Sequence, residues 1–234
     1  MTLIRIENLK KHYVSGDETV EALRGVDLAI EAGEFVTIMG QSGSGKSTLL
    51  SVLGGMNHPT AGTVEMAGIQ LYELPGERLA DFRAVNLGFV FQSFHLIQYL
   101  TALENVMLPL AIIKMKKAEK LQAAMEALER VGLAGKADRL PNQLSGGEQE
   151  RVAIARAIVK KPPILLADEP TGNLDTKTSE EVMELFRRLN DEGQTVVMVT
   201  HNPENCAYAD RSIHLRDGVV AEERKAAAIA RSAA

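Results

Sequence analysis

The chain has one cysteine, no surplus of basic residues and no apolar stretch near membrane length. A lone thiol excludes an internal disulfide and fits a reducing compartment. Cys206 reads as a small buried apolar residue. Lys and Arg number 26 against 31 Asp and Glu, a net charge of -5, so a grip on nucleic-acid phosphates is disfavoured. Crossing a bilayer takes ~20 apolar residues in a row, whereas the runs here, such as 196–199, have strand length. Residues 1–7 alternate like a strand and lack the basic start and apolar run of a secretory signal. Any membrane role would therefore fall to a partner. No internal repeat is visible.

What is present is an alternation of buried-strand and helix patterns over 234 residues. Phe35, Val36, Thr37, Ile38 and Met39 run into a glycine-rich loop. Residues 164–167 run into Asp168 and Glu169, and residues 196–200 end at His201. Short apolar runs of this kind form parallel core strands, and ligands bind beyond their carboxyl ends. Over 177–190, Val182, Leu185, Phe186 and Leu189 share one helix face opposite Glu and Arg residues. The expected fold class is α/β, with a mostly parallel core sheet covered on both sides. Residues ~3–36 and ~62–91 read as short strands, an antiparallel β subdomain leaning on the core. Residues ~95–145 read as helical, with Leu121, Met125 and Leu128 on one face, and define an inserted α-helical subdomain reaching to about 160. Lys114, Lys116 and Lys117 read as a solvated helix edge. Residues 1–220 form a single domain on this reading, and the alanine-rich tail 221–234 reads as frayed helix or disorder.

The strongest local signal is Gly40, Gln41, Ser42, Gly43, Ser44, Gly45, Lys46, Ser47 and Thr48, a full G-x-x-x-x-G-K-[ST] match between a strand and a helix, which makes the expected α/β fold that of a P-loop NTPase. Glycines let successive N–H groups turn inward on a phosphate, and the helix N-terminus adds positive potential. Lys46 supplies charge for the β- and γ-phosphates of ATP, and Ser47 a hydroxyl for Mg²⁺. Asp168, closing an apolar strand, suits Mg²⁺ held through water. Glu169 beside it can polarise a water for in-line attack on the γ-phosphate. An acidic pair after a strand can equally be a helix N-cap, but the phosphate loop favours the catalytic reading. Leu144, Ser145, Gly146, Gly147 and Glu148 open an amphipathic helix, a second anion-binding N-terminus. One chain cannot easily fold both receptors onto one nucleotide. A head-to-tail pair can, each nucleotide lying between the glycine loop of one chain and Ser145 to Gly147 of the other.

These motifs, with Leu144, Ser145, Gly146 and Gly147 standing ahead of Asp168, Glu169, Pro170 and Thr171, resemble the ATP-binding-cassette (ABC) nucleotide-binding domain over residues ~2–220. Residues 49–55, 87–92, 103–106 and 167–175 are similar to the lipoprotein-release and macrolide-export (LolD/MacB-type) branch. The resemblance implies roles for four further residues. Tyr13 would stack on adenine, and Gln92 would reach Mg²⁺ and the attacking water and sense a transmembrane partner. Asp175 would stand in the loop crossing the dimer interface, and His201 would contact the γ-phosphate. The family often carries Gln where this chain has Glu148. Either that carboxylate points away from the triphosphate, or it tunes ATP-driven closure.

The implied function is an ATP-hydrolysing subunit that uses ATP and Mg²⁺ to power a membrane transporter or extractor of the lipoprotein-release or macrolide/peptide-export type. Its partners would be a second copy of itself and a transmembrane permease, with no nucleic acid. Phe94, Leu96, Ile97, Tyr99 and Leu100, with the helical lobe, would receive the permease helix, although a plain core contribution explains some of them equally well. The location would be cytoplasmic, at the inner face of the membrane. A nucleotide-gated regulatory ATPase of the cell-division type, moving no cargo, is the alternative. A nucleic-acid-maintenance ATPase ranks last, since no long coiled-coil or zinc insertion is present.

Overall fold

The structure, a computed structural model, describes residues 1–16 and 18–225. In chain order, β1 (Thr2–Ser15), β2 (Glu18–Glu31) and β3 (Phe35–Met39) precede α1 (Lys46–Leu53), β4 (Ala61–Met66) and β5 (Ile69–Gln70). Then come α2 (Gly76–Asn86), β6 (Leu87–Phe91), α3 (Ala102–Met107), α4 (Lys117–Arg130) and α5 (Gly146–Ile158). The chain continues through β7 (Ile164–Asp168), α6 (Thr176–Asp191), β8 (Thr195–Thr200), β9 (Arg211–Arg216) and β10 (Val219–Lys225).

Strands β3, β7 and β8 carry side chains buried on both faces, the mark of a central parallel sheet. The six strands lie in the order β10-β9-β3-β8-β7-β6, parallel except for the antiparallel edge strand β10. Side chains alternate between faces along each strand. On β7, Leu165 and Ala167 join a core containing residues of α3 to α6. Ile164 and Leu166 join a second core with Leu49, Leu50, Val52 and Leu53 of α1. The antiparallel sheet, β2-β1-β4-β5, closes this second core through residues such as Ile4, Ile6 and Met66. Helix α1 and helix α5 therefore cover opposite faces of the parallel sheet.

Several expectations are corrected. The segment 62–91 is not strands throughout: residues 76–86 form α2, and 87–91 form β6 within the parallel sheet. Only Leu79 and Phe82 are buried on α2, and Val85 is exposed, so the helix carries too few apolar residues for a visible stripe. Strands β1 and β2 are one long hairpin of 14 residues each, broken by register shifts rather than turns. Helix α4 buries Ala124, Ala127 and Leu128, while Leu121 is exposed; small alanines let α4 approach its neighbours closely. The lysines at 114, 116 and 117 are exposed as expected, although only Lys117 lies within a helix, and Cys206 is half-buried rather than buried. Residues 221–225 are not frayed: they pair with β9, and Glu223 bridges Arg211 at 2.8 Å. The rest of the expected tail, 226–234, lies outside the described residues.

Candidate functional site

Gly40 ends the turn out of β3, where a Cβ would stand 2.3 Å from the Leu215 carbonyl oxygen, so no larger residue fits. Gly43 and Gly45 take φ of 80° and 101°, the left-handed region open to glycine. The loop thus curls over the start of α1, whose N-cap, Gly45, offers no side chain to satisfy the first N–H groups. Those donors are free for an anion. Lys46 is buried and its Nζ donates to the Gly40 and Gln41 carbonyls at 2.8 and 2.9 Å, arching across the loop. Ser44 Oγ is buried with no partner inside the same loop. An orphaned hydroxyl and uncapped amides are what a phosphate would satisfy.

Ser47 Oγ donates to Asp168 Oδ1 across 3.4 Å, bringing the phosphate loop to the end of β7. Burial, with the Glu169 charge adding to it, holds the Asp168 carboxyl above its usual range; the Ser47 bond and Lys46 pull it down. A nearby cation would relieve that penalty. The described residues contain no group of three or more His, Cys, Asp or Glu suited to a metal. One carboxylate and one hydroxyl do fit Mg²⁺, which keeps waters and takes its other ligands from phosphates.

Glu169 adopts φ of 47° while its N–H bonds the Val199 carbonyl at 2.9 Å, so the turn is anchored in the sheet. Its Oε2 lies 2.9 Å from His201 Nδ1, at the end of β8. A cavity of about 150 Å³ adjoins them, lined among others by Thr171, Gly172, Leu174 and Asn202. Gln92, just after β6, lies over Gly172: a Cβ there would stand 2.7 Å from Gln92 Nε2. Asn173 Nδ2 donates to the Gln92 carbonyl at 2.9 Å. The structure thus gathers Ser47, Asp168, Glu169, His201 and Gln92 at the carboxyl ends of β3, β6, β7 and β8.

The second helix start is elsewhere. Ser145 caps α5 by accepting from Glu148 N, and Glu148 accepts from Ser145 N at 2.9 Å, a reciprocal capping box. Glu148 also pairs with Lys136, which together with the Ser145 bond holds its carboxyl below the usual range. The carboxylate turns back along its own helix cap. Gly147 packs so close to α6 that a Cβ would stand 2.1 Å from Thr178 Cγ2. Leu144 is buried beneath the helix start. Asp175 caps α6, accepting from Thr178 N and Oγ1 at 3.0 and 2.6 Å. Tyr13 stands on β1, partly exposed, its hydroxyl accepting from Asn57 Nδ2 at 2.6 Å and Lys11 Nζ 5.0 Å from its ring. The structure brings none of Tyr13, Ser145 or Asp175 into hydrogen-bond contact with the cluster around Asp168. Two residues that sequence reasoning passed over stand on α5: Glu150, wholly buried, and Arg156, which bonds the loop after Gln92. A charge on an otherwise apolar helix face was the available signal.

A family model described as ABC transporter matches residues 23–172. The chain belongs to the ABC transporter family. Membership makes it an ATP-binding, ATP-hydrolysing cassette. It is 50% identical over 224 residues to the macrolide export ATP-binding/permease protein MacB of Rhodopirellula baltica, covering 94% of this chain and 33% of that protein. It is 48% identical to the uncharacterized ABC transporter ATP-binding protein YvrO of Bacillus subtilis, covering 95% of this chain and 97% of that one. The cassette thus spans about a third of its MacB relative and nearly all of YvrO. Among solved structures, the dimeric post-hydrolysis state of the ATP-binding cassette MJ0796 bound to ADP and Pi superposes with a TM-score of 0.88 at 46% identity, covering 95% of this chain and 98% of that one. MJ0796 comes from Methanocaldococcus jannaschii. The P-loop α/β fold read from the sequence stands.

Proposed function

We propose that the cassette powers a membrane transporter of the macrolide-export or lipoprotein-release type, hydrolysing ATP between two head-to-tail copies. One observation carries this: the two anion-receiving helix starts, α1 and α5, pack on opposite faces of one sheet. A nucleotide held by the glycine loop of one copy meets the Ser145 end of α5 only from a second copy. The dimeric MJ0796 relative supports the same arrangement.

Within each site, Gly40 to Thr48 wrap the phosphates, Lys46 swings from its loop carbonyls to the β- and γ-phosphates, and Tyr13 stacks on adenine. Ser47, Asp168 and Gln92 would hold Mg²⁺, which would supply charge neutralisation at the phosphates. Glu169 takes the proton of the attacking water, with Oε2 engaged by His201 and Oε1 available. His201 contacts the γ-phosphate, and Asp175 lies at the junction of the two copies. Leu144 to Glu148 of the second copy close the pocket through the free Gly146 and Gly147 amides. The permease seats in a cleft of about 450 Å³ between α2, β6 and α5, lined by Phe89, Phe91, His95 and Arg156 among others; of the residues expected to receive it, Tyr99 is exposed but Leu96 is buried in the core. That contact holds the cassette at the inner membrane face; no helix among the described residues is long and apolar enough to cross a membrane.

Glu169→Gln is the test. It retains ATP binding, accumulates as an ATP-loaded dimer on size-exclusion chromatography, and loses turnover by about 10²–10⁴-fold, the range of a general base. Unchanged phosphate release removes Glu169 from the mechanism.

A further inference from the structure

The segment after Gln92 is held in an unfavourable shape. Phe94 and His95 take φ of 58° and 48° in succession, although neither is glycine. Side chains pay for such backbone conformations only where surrounding contacts impose them. Two contacts do so. Asn105, wholly buried, accepts from Ile97 N at 2.8 Å and donates to the Ile97, Leu100 and Thr101 carbonyls, fixing the far end of the loop. Arg156 of α5 fixes the near end: its two terminal nitrogens donate to the carbonyls of His95 at 2.5 Å and Phe94 at 2.6 Å. A planar guanidinium fork suits two adjacent carbonyls as an ammonium does not. His95 also packs against Phe91, ring centroids 4.9 Å apart.

The same helix carries a buried carboxyl six residues before Arg156. Glu150 is wholly buried, and neither of its oxygens has a hydrogen-bond partner among the described residues. Burial pushes its carboxyl well above the usual range, opposed by the Arg156 charge. An unpaired buried carboxyl is costly, and the Arg156 charge opposes part of that cost.

We propose that Arg156 is a positioning residue for Gln92, a latch whose guanidinium clamps the Phe94 and His95 carbonyls and so fixes the loop that opens at Gln92. The latch joins the helix that begins at Ser145 to the loop that begins at Gln92, so a shift of either is felt by the other. The proposal rests on the reading of Gln92 as a site residue, and the experiment separates the two.

Backbone hydrogen–deuterium exchange and steady-state ATPase kinetics are measured on the full chain with ATP and Mg²⁺. Arg156→Gln raises exchange at the amides of 94 and 95 but not at 97, which Asn105 still holds. It lowers kcat roughly ten- to a hundredfold, the cost of a misplaced group, with KM for ATP within about twofold. Arg156→Lys restores only part of kcat. Exchange rising equally at 94, 95 and 97 marks general loosening and overturns the latch, as does exchange unchanged in Arg156→Gln. Gln92→Ala is the control: if its kcat is normal, the reading of Gln92 fails, while the exchange pattern still decides the latch.

Discussion

Replacing Glu148 by Gln tests whether the α5 cap, rather than the phosphate site, is the business of this carboxylate. Its oxygens are committed to Ser145 N and to Lys136, so the charge is spent within the chain. Gln keeps an acceptor for Ser145 N but loses the ion pair and the negative charge at a helix N-terminus. With Lys136 about half exposed, the pair contributes about 0.2–1 kcal/mol, and the charge-to-helix interaction about 0.3–1 kcal/mol. The sum, roughly 0.5–2 kcal/mol, corresponds to a melting shift of roughly 1–8 °C for a chain of this size. Because the folded carboxyl titrates below its ordinary value, its stabilisation is present above the unfolded value of ~4.3 and is lost as pH falls through the lower folded value. The gap between Glu148→Gln and the parent, read by thermal melts, therefore narrows as pH falls below the unfolded value of ~4.3. Hydrolysis changes by less than about fivefold, the ceiling set by the same helix-charge interaction. A large rate change at neutral pH with coincident melting curves would refute this account of Glu148.

Lys46→Ala removes the buried ammonium that spans the glycine loop, and weakens ATP binding roughly 10–150-fold in isothermal titration, the worth of charge-assisted hydrogen bonds. Ser145→Ala costs about 1 kcal/mol through the lost cap, a melting shift of about 2–4 °C. Its turnover falls far more than that shift explains, while ATP binding by the single chain is unchanged; equal and small losses in both would assign Ser145 a capping role only.

How much was legible in the sequence depended on how each residue's job is encoded. The glycine loop was readable because its chemistry is local: Gly40, Gly43 and Gly45 are needed for contact or φ, and Lys46 follows at a fixed offset. The buried strands β3, β7 and β8 were readable from uninterrupted apolar runs. Helix α2 was not, because Leu79 and Phe82 are its only buried residues. The continuation of β10 through Lys225 was hidden because its charged residues pair across the strand with Arg211 and its neighbours rather than burying an apolar face. The approach of Gln92 to Gly172, 80 positions apart in the chain, is tertiary and leaves no mark in spacing. The same holds for His201 reaching Glu169. The direction of Glu148 depended on Lys136, twelve residues earlier, which nothing in the local pattern selects.

Placing α1 and α5 on opposite faces of one sheet has a genetic consequence. In a mixed pair, a chain crippled at Lys46 and a chain crippled at Ser145 put both lesions into one pocket and leave the other wholly intact. Two inactive alleles would then complement each other, whereas two copies of either allele could not.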